Sequence, residues 1–148
     1  VAFEAPVTAA IQIAAAVLLD GAGKVLLVRK AGTVAFMQPG GKIEPGEYPM
    51  EALRRELKEE IDLELGADAF TYLGAFSAPA ANEPGHQVCA EVYVARITEP
   101  VTNRAEIAEM IWIDPATPPA IQLAQLTEYH ILPALLAAGT FRGTTCLQ

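Results

Sequence analysis

Basic residues and cysteines are both scarce in this chain. Its 148 residues include 10 Lys or Arg against 18 Asp or Glu, a formal net charge of −8. No Lys/Arg cluster is present that could neutralise a row of phosphates, so no nucleic-acid polymer is expected as a partner. The two cysteines, Cys89 and Cys146, have neither the spacing of a zinc site nor that of a disulfide framework. Cys89 lies in an apolar strand pattern and reads as a buried free thiol. His86 and His130 are isolated, and a structural role is the default for each. No apolar run approaches the ~20 residues of a membrane helix: Ile13–Leu19 and Ile131–Ala138 are short, and Pro133 interrupts the second. Val1–Pro6 contains Glu4 and no basic start, against a retained signal peptide. The expectation is a cytoplasmic protein with no membrane partner. With 52% hydrophobic residues it should bury one core, as a single domain over 1–148.

Ile11–Leu19 reads as a buried strand. Asp20-Gly21-Ala22-Gly23-Lys24 is a turn signal, and Val25–Arg29 returns as the second arm of a hairpin. Residues 31–46 are punctuated by Gly32, Pro39-Gly40-Gly41 and Pro45-Gly46, the marks of an irregular loop. Residues 47–61 have helical periodicity. Phe70–Phe76 is a strand, Pro79–Gly85 a loop, and Gln87–Ile97 a strand apolar on both faces, as suits a covered central position. Glu109–Asp114 is the last strand, with Trp112 packing in the core. A helix should start near Thr127 and end before Gly139, with Pro133 forcing a kink or a late start. Strands on either side of one helix, with a second at the end, predict an α+β fold: a mixed sheet between helical layers, α/β/α.

On a helical wheel Met50, Leu53, Leu57 and Ile61 share one stripe, the core face. Glu56, Glu59 and Glu60 share another, at spacings that bring three carboxylates within reach of one point. Glu-rich helix surfaces are ordinarily just solvated. Here, however, the loop Pro39-Gly40-Gly41-Lys42-Ile43-Glu44-Pro45-Gly46-Glu47 feeds straight into the helix. Its glycines let backbone groups approach a ligand closely. Hard oxygen donors suit Mg²⁺ or Mn²⁺ rather than zinc.

These residues resemble the Nudix signature: Gly, five residues, Glu, seven residues, then Arg-Glu-(apolar)-x-Glu-Glu-x-Gly-(apolar). Gly41, Glu47, Arg55, Glu56, Leu57, Glu59, Glu60 and Leu63 stand in register, and Asp62 alone departs, where the pattern has Gly. That position should be left-handed, which Asp tolerates better than most side chains. Tyr48 is a poor helix cap, partly offset by Pro49 in the first turn.

The resemblance implies the Nudix fold and a Mg²⁺-dependent pyrophosphohydrolase (Mn²⁺ as substitute). Glu56, Glu59, Glu60 and the Gly41 carbonyl would hold the ion, with Glu47 and Arg55 behind them fixing a ligand's orientation. Two carboxylates could act as general base: Glu56, the preferred one, and Glu106 in the loop before Trp112, as an auxiliary. Phe36, Met37 and Gln38, beside Gly40 and Gly41, are candidates for a nucleobase pocket by stacking and amide hydrogen bonds, although Phe36 and Met37 fit a core role equally well. Glu91 is odd in its apolar strand and should face the pocket or pair with Arg96 or Arg29. The expected reaction is cleavage of a nucleoside triphosphate to monophosphate and pyrophosphate. Pro79, sixteen residues past Leu63, is a weak pointer to ADP-ribose or another nucleoside diphosphate sugar instead. A non-catalytic nucleotide-binding module is the alternative of a different class. Many relatives pair, so a homodimer is compatible with the resemblance.

Overall fold

The structure, a computed structural model, describes residues 10–139. Cys146 and Val1–Pro6 therefore lie outside the described residues. Six strands form one sheet: β1 (Ile11–Leu19), β2 (Val25–Lys30), β3 (Gly40–Lys42), β4 (Thr71–Pro79), β5 (Gln87–Arg96) and β6 (Ile107–Ile113). The order is β4-β5-β1-β2-β6, with β3 also paired to β1. β1 and β5 run parallel and the other pairs antiparallel, so the sheet is mixed as expected.

β1 is the hub. It meets β2 only at its far end, Leu19 opposite Val25, and the edge left free is taken by β3, with Ile13, Ala14 and Ala15 opposite Lys42, Gly41 and Gly40. This short strand lies inside the segment expected to be irregular. Gly-Gly-Lys has no strand propensity of its own, and β1 imposes the pairing. Gly40 has φ 148°, and a Cβ there would run into the Ala14 carbonyl and fall 2.8 Å from the Ala15 Cα. Only glycine fits.

Alternation along β1 divides the core. Ala14, Ala16 and Leu18 face α1 (Pro49–Ile61), packing with Leu53, Leu57 and Ile61. Val17 and Leu19 face the other way, against Ile131, Leu132 and Leu135. Both faces of the sheet are covered, which is why its central strands read as unbroken apolar runs. Met50, expected on the core stripe, stays half-buried, and Ala52 is buried instead. Trp112 is also only half-buried, against the α1-side cluster. Cys89 is not the buried thiol expected: it is half-buried, its Sγ 3.2 Å from Ser77 Oγ.

Both ends of α1 are fixed. Glu51 Oε1 accepts from the Tyr48 N–H at 2.8 Å, which supplies the cap that Tyr48 lacks. At the other end Asp62 is left-handed, φ 56° and ψ 39°, and the Leu63 N–H donates to the Leu57 carbonyl at 3.2 Å. The departure from glycine keeps the turn that glycine would make.

The chain after β6 begins its helix at Thr127 and keeps Pro133. Residues 127–131 wind as a π-helix, with the Leu132 N–H donating to the Thr127 carbonyl, before α2 (Leu132–Ala138) and Gly139, φ 71°. Pro133 has no N–H to give, and the wider turn before it absorbs the loss. Among the described residues no helix is long and apolar enough to cross a membrane.

Candidate active site

The three acidic positions of α1 end in different surroundings. Glu60 is buried, 3% exposed. Its Oε1 accepts from the Gly40 N–H at 3.2 Å, and among the described residues it has no ion-pair partner. Burial pushes its carboxyl up to about 7, against the Gly40 hydrogen bond and the Lys30 charge; the nearby Glu56 and Glu106 charges push the same way as burial. Glu56 is half-buried, and its Oε2 accepts from Arg55 Nη1 at 2.8 Å. Desolvation raises its pKa too, partly countered by Arg55. Glu59 is exposed, its nearest cation Arg55 Nη1 at 3.9 Å.

Arg55 organises the rim. Its Nε and Nη2 donate to Glu47 Oε2 and Oε1 at 2.8 and 2.9 Å, its Nη2 also to the Lys42 carbonyl at 3.1 Å, and its Nη1 to Glu56. Glu47 Oε1 takes a further bond from the Glu44 N–H at 2.9 Å. First the Arg55 bonds and then the Glu44 N–H hold the Glu47 carboxyl down at about 2, and Glu47 in turn raises Arg55. One guanidinium thus joins the loop, β3 and the helix.

Gly41 stands directly over Glu56. A Cβ at Gly41 would lie 2.6 and 2.7 Å from the two Glu56 oxygens, so the bare backbone leaves that carboxylate its place. Among the described residues no three Asp, Glu, His or Cys side chains are grouped closely enough to hold an ion: Glu56 and Glu60 gather under Gly40-Gly41, and Glu59 lies exposed beside Arg55 Nη1. The donor set nevertheless suits a hard cation. It is all oxygen, and Glu60 is a buried carboxylate with one backbone donor and no counter-charge in contact.

Lys30, which sequence reasoning missed, closes the site from β2. Its Nζ lies 3.9 Å from Glu106 Oε2, and its charge lowers both Glu56 and Glu60. A lysine at a strand end reads as solvated, so only the folded arrangement shows its position. Glu106 sits in an exposed loop beside left-handed Ala105, φ 53°, and its carbonyl accepts from the Ala31 N–H at 2.7 Å.

A cleft runs from Glu60, Lys30, Gly40 and Gly41 to Gln38 and Thr127. Met37 lines it, but Phe36 does not. Phe36 is 8% exposed in the α2-side core, with the Arg29 guanidinium 6.0 Å from its ring centre. Neighbouring residues on an extended segment face opposite ways, and here Met37 has the cleft side. Glu91 does not line the cleft either: its Oε1 accepts from the Tyr72 hydroxyl at 2.6 Å, while Arg29 pairs with Glu109 at 2.8 Å. His86 and His130 are exposed, and neither lines the cleft.

Residues 11–135 match the NUDIX domain family, and the chain belongs to it. An 8-oxo-dGTP diphosphatase of Haemophilus influenzae is 40% identical over 57 residues, 36% of this chain and 42% of that one. An RNA pyrophosphohydrolase of Halorhodospira halophila is 51% identical over 41 residues, 28% of this chain and 23% of that protein. The chain thus spans less than half the length of these curated relatives. The NUDIX domain of Shewanella oneidensis NrtR, solved with ADP ribose, superposes with a TM-score of 0.72 at 18% identity, covering 90% of this chain and 91% of that one. At that identity the likeness is one of fold.

Proposed function

We propose that this chain is a Mg²⁺-dependent pyrophosphohydrolase that cleaves a nucleoside triphosphate to the monophosphate and pyrophosphate. The reading is carried by the Glu47–Arg55–Glu56 chain of bonds set under Gly41, a residue that lines one end of a cleft whose other end is apolar. Glu56, Glu59, Glu60 and the Gly41 carbonyl are the ligands assigned to Mg²⁺, or to Mn²⁺ in its place. The bound ion would neutralise phosphate charge and acidify water. Arg55 keeps Glu56 aimed, and Lys30 supplies positive charge where phosphates would lie. Water attacks phosphorus and gives its proton to Glu56, with Glu106 as auxiliary. The substrate is a small nucleotide rather than an RNA chain, because the net charge of −8 opposes a polyanion. A nucleotide sensor would not need an intact set of carboxylates, and all three are present here.

A second reading, cleavage of ADP-ribose or a similar nucleoside diphosphate sugar, is favoured by Pro79 lining the cleft and by the fold shared with the ADP-ribose-bound NrtR domain. A panel of nucleotides incubated with Mg²⁺ in ¹⁸O-labelled water distinguishes the readings. The first expects pyrophosphate and labelled or unlabelled monophosphate according to the phosphorus attacked; the second expects AMP and a sugar phosphate. Tight binding without turnover of any member would sink both.

A further inference from the structure

Deep in the cleft one polar group has no partner. Gln38 is 6% exposed and lines the cleft wall. Its Oε1 accepts from the Thr127 hydroxyl at 2.7 Å, and its Nε2 is buried without a hydrogen bond, the one such side-chain atom among the described residues. A buried donor left unpaired is costly, and native folds rarely retain one without a use.

Thr127 is itself fully buried, and it is the first residue of the π-helical turn that precedes Pro133. Its position is fixed by backbone geometry, and through its hydroxyl so is the face Gln38 presents. The surrounding wall is apolar, from Ile13, Met37, Val88 and Leu126, a surface for the flat faces of a ring. The same cleft continues along the chain from Gln38 to Gly40 and Glu60.

We infer that Gln38, positioned by Thr127, selects nucleobases that present a carbonyl oxygen to its N–H₂, so that keto bases are preferred over amino bases. The inference rests on the proposed reading that the cleft takes a nucleotide. The Thr127 hydroxyl already engages the amide oxygen, so the group of Gln38 left without a partner is its donor, Nε2. A 6-oxopurine or 4-oxopyrimidine answers it with an acceptor, whereas an exocyclic amine sets donor against donor. Nε2 is buried, so pairing with a seated ring requires a small rotation about the soft last torsion of the glutamine, which the rotatable Thr127 hydroxyl would have to follow.

The test measures binding of inosine and adenosine 5′-monophosphates by calorimetry. Neither carries an anhydride, so binding is read without turnover. The expected result is inosine monophosphate at least about tenfold tighter. The preference should fall to about threefold or less in Gln38→Leu and Thr127→Val and persist in Thr127→Ser, which keeps the hydroxyl. Should Gln38→Leu fail to fold, the Thr127 pair decides. Equal affinity, binding of neither, preference for adenosine (an amide turned the other way), or a preference surviving in a folded Gln38→Leu overturns the inference. Turnover of triphosphates without base discrimination would sink this inference and leave the proposed activity standing; discrimination without turnover would do the reverse.

Discussion

Arg55 and Glu47 are joined by two parallel hydrogen bonds of 2.8 and 2.9 Å, while a third nitrogen of the same guanidinium holds Glu56 at 2.8 Å. Planarity makes this possible, and lysine has no equivalent fork. Arg55→Lys should lower kcat by about 10- to 100-fold while melting within a few degrees of the parent. Steady-state kinetics beside calorimetric melting checks it, and an unchanged kcat would remove Arg55 from the mechanism.

The two glycines of β3 serve different ends. Gly40→Ala drives a Cβ into the Ala14 carbonyl at a left-handed φ and should destabilise by about 2 kcal/mol or more. Gly41→Ala displaces the Glu56 carboxylate and should lose activity well beyond its loss of stability. Denaturant melts with matched assays test the split. Equal stability losses would show that the Glu56 contact is unimportant.

Burial of Glu60 makes stability depend on pH, and the ligand role proposed for it would couple that dependence to metal. Its carboxyl is held at about 7 against an ordinary 4.5. Between those values the folded chain keeps a proton that the unfolded chain has lost, so stability drops as pH rises through that window. The integrated penalty is on the order of 3 kcal/mol, and a cation beside Glu60 offsets it. Added Mg²⁺ should therefore raise the melting temperature more at pH 8 than at pH 5. Glu60→Gln should be more stable than the parent at pH 8 without metal and gain little from Mg²⁺. Glu47 works in the opposite direction: its carboxyl is lowered to about 2, so its contribution holds above 4.5 and fades as pH falls toward 2. A Mg²⁺ gain independent of pH would argue against the Glu60 assignment.

The proton acceptor is separable by substitution. Glu56→Gln should cost about 10² to 10⁴ in kcat, and Glu106→Gln less. A loss under about tenfold for Glu56→Gln removes it as the base and promotes Glu106.

Asp62 occupies a left-handed turn and pairs with Arg104 at 2.8 Å, both side chains more than half exposed. The ion pair is worth little, so the turn decides. Asp62→Gly should match or exceed the parent in stability, and Asp62→Ala should lose about 1 kcal/mol. Urea unfolding measures both.

Much of this was legible in the chain itself, for identifiable reasons. β1 and β5 are long apolar runs and α1 has helical periodicity, and each formed within a residue or two of its expected bounds. β3 was not legible, because Gly40-Gly41-Lys42 becomes a strand only when β1 offers an open edge. Phe36 and Met37 could not be told apart until the facing direction was known. For Glu91 the sequence suggests the pocket or an arginine partner, whereas a tyrosine hydroxyl answers it. Helical spacing singles out Glu56 and the resemblance to the Nudix signature adds Arg55 and Glu47, but Lys30 and Thr127 reach the cleft through folding over distances no local pattern records.

The cleft is assembled unevenly along the chain. The end proposed for phosphates draws mainly on one continuous stretch from Gly40 to Glu60, whereas the far wall collects Ile13, Val88, Leu126 and Thr127 from separate parts of the sequence. If the proposed reading holds, exchanges at that scattered wall can retune which ring is admitted without disturbing the compact cassette assigned to bond cleavage.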